Sequence, residues 1–274
     1  MSNVLVTGAS TGIGHATAKR MLAYGWEVFA AARKDADLER LGGEGFTPVK
    51  LDVTDSDTIA AAKDALDERG LHGLVNNAGI GISGPIEFLP LDELRRQLEV
   101  NLVGQVAVTQ AFLPNIREAK GRIVNVSSIG GRMALPMAGP YAASKHALEA
   151  VSDSLRRELR PWGISVSIIE PGAVVTPIWD KARATADDVE AQMGERAQAR
   201  YGKLAQTMRA ELEKIPERGV APDEVAKAIE HALTSARPKV RYVVGRDAKM
   251  RLRVKALVGD RRFDSLIART LKWG

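Results

Sequence analysis

The sequence predicts an α/β fold: a doubly wound parallel sheet of about seven strands with helices on both faces. Three observations carry that prediction. Short β-branched apolar runs recur along the chain, separated by longer helical patterns. Most of these runs are apolar at every position, as strands covered on both faces require. A glycine-rich turn, TGASTGIG at Thr7–Gly14, joins the first run to the first helical segment.

The candidate strands are Val4–Thr7, Glu27–Ala31, Thr47–Leu51, Gly73–Asn76, Arg122–Val126, Ser165–Ile169 and Val240–Val244. Helical segments are expected at Gly12–Tyr24, Ser56–Arg69, Asp92–Ala119, Tyr141–Arg160 and Asp223–Thr234. This alternation implies βαβ crossovers and hence parallel pairing. Ile178–Pro216 breaks the schedule, being helical in pattern, rich in Ala, Arg and Glu, and without a strand. It reads as a helical lid, 178–216, over the C-terminal edge of the sheet, where open α/β sheets bind ligands. No repeat or low-complexity linker divides the chain, so residues 1–274 are expected to form one domain with this lid and a basic tail at 237–274.

Composition narrows the function. The formal charge is +5, yet residues 237–274 hold twelve Lys/Arg against three Asp/Glu, which leaves the rest of the chain net acidic. That argues against a nucleic-acid-binding body. There is no cysteine, which excludes disulfides, thiolate catalysis and Cys-ligated zinc. His15, His72, His146 and His231 are scattered without metal-ligand spacing, so no metal is expected. MSNVLVTGAS does not read as a secretory leader, and no run of apolar residues is long enough to span a membrane. A cytoplasmic location is the expectation.

The glycine turn suits a phosphate. Gly8, Gly12 and Gly14, with Thr11 and Ile13 between them, would let backbone N–H groups and a helix N-terminus approach a pyrophosphate. In a site for NAD, an acid near the end of the second strand would bond the ribose hydroxyls. This chain has Ala32, Arg33 and Lys34 there, and Asp35 and Asp37 lie too far along, in the next helix. Arg33 can instead bind a 2′-phosphate, so the expected cofactor is NADP(H). LDVTD, with Asp52 and Val53, places a carboxylate where it could meet an adenine amino group, though it also reads as a helix cap through Asp55 or Ser56. NNAG, with Asn76, Ala78 and Gly79, ends the fourth strand and fits the same ligand.

YAASK sets Tyr141 and Lys145 one helical turn apart on one face. A phenol titrates near pH 10 in water, and a cation beside it favours the phenolate. Two charges ~4 Å apart interact by roughly 4 kcal/mol at an effective dielectric of 20, or about three pKa units. The pair is therefore expected to bring Tyr141 toward neutrality for general acid/base work on an alcohol or ketone.

TGASTGIG, NNAG, VNLVG, VNVSS, YAASK and PGAVVT occur in one order, and in that order the chain resembles the short-chain dehydrogenase/reductase family, whose glycine pattern is TGxxxGxG. The resemblance implies a Rossmann-type fold and a tetrad. Tyr141 would be the acid/base, Lys145 would lower its pKa and hold the nicotinamide ribose, Ser128 would bond the reacting oxygen, and Asn101 would kink its helix and hold a relay water. The family spacing selects Ser128 over Ser127. From Pro171, Gly172, Val174 and Thr176, it assigns Thr176 and the Val174 backbone to the nicotinamide carboxamide. One departure is Thr11, where NADP-preferring members often carry a cation.

The stretch from Ile129 to Leu159 is similar to members acting on steroids, retinoids and related lipids, which implies a bulky apolar alcohol or carbonyl substrate. The family's habit of pairing its two long helices, here Asp92–Ala119 and Tyr141–Arg160, implies a homodimer or homotetramer. In the tail, Met250, Val254, Leu257 and Val258 alternate with Lys249, Arg251, Arg253 and Lys255 at helical spacing. The preferred reading is an apolar stripe that closes the substrate pocket, and the second is peripheral contact with an anionic membrane. A non-catalytic NADP(H) sensor is the alternative function; the presence of Asn101, Ser128, Tyr141 and Lys145 together weighs against it.

Overall fold

Strands β1 (Asn3–Val6), β2 (Glu27–Ala32), β3 (Thr47–Lys50), β4 (Gly73–Asn76), β5 (Arg122–Val126), β6 (Ser165–Pro171) and β7 (Arg241–Val244) form one sheet in the computed structural model, which describes residues 1–66 and 69–273. Their order is β3-β2-β1-β4-β5-β6-β7, and every neighbouring pair is parallel. The chain winds outward from β1 to β3, then crosses back to β4 on the other side of β1. The strand order therefore reverses between β1 and β4, which opens a crevice at their C-terminal ends. The glycine turn leaves β1 at that crevice.

Helices α1 (Gly12–Ala23), α2 (Asp35–Gly43), α3 (Ser56–Leu66), α4 (Leu91–Leu98), α5 (Gly104–Glu118), α6 (Gly139–Glu158) and α9 (Pro222–Thr234) connect or cover the strands. Alternation along each strand builds two cores. Val4, Val6, Val28 and Ala30 face Ala18 and Met21 of α1 and Val225, Ile229 and Leu233 of α9. Leu5, Phe29, Leu74 and Ile123 face Ile59 and Leu66 of α3 and Val108, Phe112 and Ile116 of α5. Each fully buried side chain of this size contributes about 1.5–3 kcal/mol, so both faces drive folding. That double burial is why the strands read as unbroken apolar runs.

Three elements differ from expectation. Only the start of α2 was legible, because Leu41 is its one buried residue. The helix expected at Ser56–Arg69 is seen to Leu66, and positions 67 and 68 lie outside the described residues. The helix expected at Asp92–Ala119 is split by a π-helical turn, Glu99–Val103, between α4 and α5. The segment 178–216 is helical: α7 (Ile178–Glu213) turns at Gly194, where φ is 74°, and α8 (Ile215–Arg218) follows. The tail supplies edge strand β7, then α10 (Arg246–Val258) and α11 (Asp260–Leu271); its last residue, Gly274, lies outside the described residues.

Candidate active site

The turn after β1 calls for glycine at three positions, Gly8, Gly12 and Gly14. A Cβ on Gly14 would lie 2.3 Å from the Gly8 carbonyl oxygen and 2.5 Å from Asn77 Nδ2. At Gly12, φ is +57° and a Cβ would meet Thr176 Cγ2 at 3.0 Å, so the loop after β6 lies against the glycine turn. Thr11 stands at the N-cap of α1 without a side-chain capping bond, and the first turn holds no acid. Donors and the positive end of the helix are thus left for an anion. Ile13 packs into the core beneath.

Residues of NNAG also hold this turn. Asn76 is buried, and its Nδ2 donates to Thr109 Oγ1 and Asn125 Oδ1, both at 2.9 Å. Its side chain is therefore committed to the interior between β4, β5 and α5 and does not reach the glycine turn. Asn77 holds the turn: its Nδ2 donates to Thr7 O at 2.8 Å, and Thr7 Oγ1 accepts from the backbone N–H groups of Asn77 and Ala78 at 2.9 and 3.0 Å. Gly79 lies against Asn101, where a Cβ would stand 3.3 Å from Oδ1.

At the ends of β2 and β3, Arg33 Nη1 donates to Asp52 Oδ2 at 3.3 Å, with the arginine side chain 63% exposed. Burial disfavours the Asp52 carboxylate, but the Thr54 N–H and hydroxyl and the Arg33 charge together hold its pKa below the usual range. Asp55, not Asp52, caps α3, accepting from Asp57 N at 2.9 Å. Val53 is buried and its carbonyl packs on Gly104. Arg40 of α2, which the sequence did not single out, reaches the Ser10 carbonyl at 2.7 Å.

Ser127 and Ser128 follow β5 and, being adjacent in extended chain, point to opposite sides. Ser128 and Tyr141 line one cavity of about 590 Å³. Ser128 Oγ accepts from Gly130 N at 3.0 Å. Ser127 is turned inward toward Glu149. Lys145 is buried, with Nζ 5.9 Å from the Tyr141 ring centroid and donating to Val126 O at 2.8 Å. Burial lowers its pKa to about 8, against the pull of Glu149. Tyr141 corrects an expectation. Burial raises its pKa, and the Ser128 hydroxyl bond lowers it only in part, so the phenol is not drawn toward neutrality. One of the three N–H donors of the lysine is engaged by the Val126 carbonyl.

Asn101 occupies the π-turn and is completely buried. Its Oδ1 accepts from Ile80 N at 2.9 Å, and its Nδ2 donates to Ile80 O at 3.0 Å and to Ser144 Oγ at 3.2 Å. The amide thus pairs edge to edge with the Ile80 backbone from within the π-turn.

After β6, Pro171 O lies 3.5 Å from Ser128 Oγ, Gly172 N donates to Val244 O at 2.9 Å, and Val174 O accepts from Trp179 Nε1 at 2.7 Å. Thr176 is the residue against Gly12. The cavity beyond is apolar, with Met133, Met137, Trp179, Met208, Phe263 and Leu271 among its walls, so α7, α10 and α11 all face it. Tail residues in that wall, Phe263 and Leu271 included, had only their helical spacing to mark them. Beside it, Tyr201 stacks on Trp273 and donates to Glu87 at 2.9 Å.

Glycines that a Cβ would overfill, an uncapped helix start and a cation with no acid at the end of β2 fit a dinucleotide carrying an extra phosphate. A serine, a tyrosine and a lysine beside that crevice define an oxidoreductase of the doubly wound class. The short chain dehydrogenase family profile matches residues 2–187. An NADPH-dependent 3-dehydrocapnine reductase from Ornithobacterium rhinotracheale is 36% identical over 99% of this chain and 98% of its own. Human retinol dehydrogenase 16 is 38% identical over 90% of this chain and 81% of its own. The crystal structure of a short chain dehydrogenase from Burkholderia cenocepacia J2315 in complex with NADP superimposes with a TM-score of 0.75, at 26% identity, over 98% of this chain and 96% of that one. The chain belongs to the short-chain dehydrogenase family.

Proposed function

We propose that the protein is an NADP(H)-dependent oxidoreductase that interconverts a secondary alcohol and a ketone, or the matching aldehyde, on a bulky apolar substrate. The observation that carries this is that Ser128 and Tyr141 line one large apolar cavity, together with Gly172 and Ala173 of the loop after β6. The names of an NADPH-dependent reductase and a retinol dehydrogenase among its relatives support cofactor and substrate class. Gly8, Thr11, Gly12, Ile13 and Gly14 would hold the pyrophosphate, Arg33 the 2′-phosphate, Asp52, Val53, Ala78 and Gly79 the adenosine side, and Gly172, Val174 and Thr176 the nicotinamide end. When bound, NADPH supplies the hydride.

In reduction, Ser128 Oγ–H hydrogen bonds to the carbonyl oxygen and orients it, while Tyr141 donates its proton to the same oxygen. A pKa raised by burial suits that role, since the phenol is protonated at neutral pH. Lys145 supplies positive charge beside the phenolate that forms, and Asn101 fixes the Ile80 backbone, next to Gly81 and Ile82 of the cavity wall. The apolar walls exclude water. Residues 178–216 form the lid, and α10 with α11 closes the far wall of this single domain.

The deciding experiment is loss of NADPH fluorescence against a panel of apolar ketones and aldehydes, with Tyr141→Phe as the control. The proposal expects turnover in the parent and none in the variant, with NADPH binding retained; a parent that binds NADPH but turns over nothing favours a sensor. Exposed Leu91, Val103 and Trp162 lie beside the two long helices and favour pairing of two copies there, which light scattering would register as a doubled mass or more. Leu257, 85% exposed, and Met250 beside Lys249 and Arg253 favour a second role for the tail, peripheral contact with an anionic membrane. No helix among the described residues is long and apolar enough to cross a membrane. Sedimentation with anionic vesicles tests that role.

A further inference from the structure

Behind Tyr141 and Lys145 lies a buried charged group that the reaction proposed above leaves without a part. Tyr141, Lys145, Glu149 and Asp153 recur every four residues and share one face of α6. Glu149 Oε2 accepts from Arg241 Nε at 3.0 Å, and the same Nε lies 3.2 Å from Glu170 Oε1. Arg132 Nη1 donates to Glu170 Oε1 at 3.1 Å, and Arg241 Nη2 reaches Asp153 Oδ1 at 3.1 Å. Glu170 is 0% exposed. Helix α6 and strands β6 and β7 thus bring three carboxylates, the buried Glu149 and Glu170 and the half-buried Asp153, onto one guanidinium.

This group is held tightly. A Cβ on Gly131 would lie 2.8 Å from Ser127 Oγ and 3.0 Å from Glu149 Cγ, so the turn after β5 lies directly on it. Ser127 Oγ faces Glu149 without closing a full hydrogen bond, and Glu149 Oε1 and Glu170 Oε2 have no partner among the described residues. Buried acceptors with spare capacity beside a buried cation act electrostatically. Lys145 is that cation: it is 4% exposed, bonds the Val126 carbonyl and makes no ion pair among the described residues. A buried charge with no counter-charge is costly, and Glu149 is the next anion along its helix face.

We propose that Glu149 is a positioning residue for the reaction. Held by Arg241 beside Glu170, its carboxylate is the interior counter-charge that keeps the Lys145 ammonium charged next to Tyr141. The inference rests on the role proposed for Lys145. Burial lowers the lysine to about 8, and Glu149 is the group that opposes the fall. Burial also raises the Glu149 carboxyl; Ser127 lowers it, Glu170 adds to the rise, and Arg241 lowers it again. The groups facing Glu149 are therefore Lys145 and Asp153 from its own helix, Ser127 after β5, Glu170 from β6 and Arg241 from β7, with Arg132 acting through Glu170.

Glu149→Gln keeps the shape and still accepts from Arg241, so it removes charge and little else. Two measurements test it: the pH profile of ketone reduction, and the titration of Lys145 followed by NMR on 13C-lysine-labelled protein, assigned against Lys145→Met. In Glu149→Gln, the alkaline limb and the lysine titration should both move about one pH unit toward acid. Glu149→Asp should restore at least half of that shift, and Asp153→Asn, one turn further on, should leave both in place. Unmoved titrations in a less stable Glu149→Gln would show a packing role alone and overturn the proposal, as would an equal shift from Asp153→Asn. Should Glu149→Gln not fold, Glu149→Asp decides by the same titration, with a smaller shift toward acid expected and none overturning. Turnover retained in Tyr141→Phe would instead sink the underlying reaction, whereas an inactive Tyr141→Phe with an unmoved Lys145 sinks only this inference.

Discussion

Lys145 donates Nζ–H to the carbonyl oxygen of Val126 at 2.8 Å, so the strand that leads into Ser127 and Ser128 also moors the lysine of the next helix. The mooring holds the ammonium 5.9 Å from the Tyr141 ring centroid and in the interior. Charge beside the phenol is therefore set by two backbone elements together, not by the one-turn spacing alone.

The first consequence is directional. Burial raises Tyr141, offset in part by Ser128, so the phenol holds its proton at neutral pH. Lys145 loses its charge as the pH climbs through about 8. Ketone reduction should be level near neutrality and fall through about pH 8, while alcohol oxidation, which needs the phenolate, should rise with pH. Initial rates in both directions across that range check this, and reduction that keeps rising above pH 9 would contradict it.

Lys145 also bears on stability. Its pKa falls on folding from 10.5 to about 8, a penalty on the order of 3 kcal/mol that is full below pH 8 and fades as pH rises toward 10.5. Lys145→Met removes the penalty, while Val126 O loses a donor at about 1 kcal/mol. A net gain of about 2 kcal/mol is expected, a rise in Tm of roughly 4–8 °C at neutral pH. Turnover should fall at least ~100-fold. Calorimetry beside rate assays would register both, and a lower Tm would disprove the sign.

The proposed 2′-phosphate site rests on Arg33. Arg33→Ala should weaken NADPH about 10–100-fold and NADH less than about twofold, because the charge-assisted pair to a 2′-phosphate is lost. Asp52 would then stand without its partner and repel that phosphate, so adding Asp52→Asn should recover part of the loss. Fluorescence titrations with both cofactors separate these effects. Equal weakening of NADH would show that Arg33 supports the fold rather than the phosphate.

Phe263 and Leu271 place the tail in the cavity wall. Removing residues 260–274 should raise KM for bulky apolar ketones at least about tenfold, through loss of apolar contact area, with NADPH affinity within about twofold. If a small ketone suffers as much as a bulky one, the tail acts on the fold instead.

Local chemistry left some of this legible and some not. The central strands stood out because both faces of each are buried, and the glycine turn because Gly8, Gly12 and Gly14 recur at positions where a side chain would be strained or crowded. Asn76 and Asn77 could not be told apart, since which of two adjacent side chains faces the turn depends on how β4 registers against β5. Ser128 could be separated from Ser127 only by the family's spacing; the structure separates them by facing them to opposite sides. The rise of the Tyr141 pKa was invisible, because burial belongs to the elements packed around the phenol and not to YAASK.

By itself, then, the sequence determined what near neighbours control: apolar runs that make a parallel sheet, a glycine turn open to an anion, a cation in place of an acid after β2, and a tyrosine and lysine on one helix face. Tertiary structure decided what distant segments control. It brought Gly12 against Thr176, joined Glu149 and Glu170 on Arg241, and added Phe263 and Leu271 to a cavity wall for which the sequence had marked only Met250, Val254 and their stripe. The physical reason is range. Dihedral preference and periodicity act within a turn or two, whereas desolvation and charge pairing depend on which chain segments the sheet order places side by side.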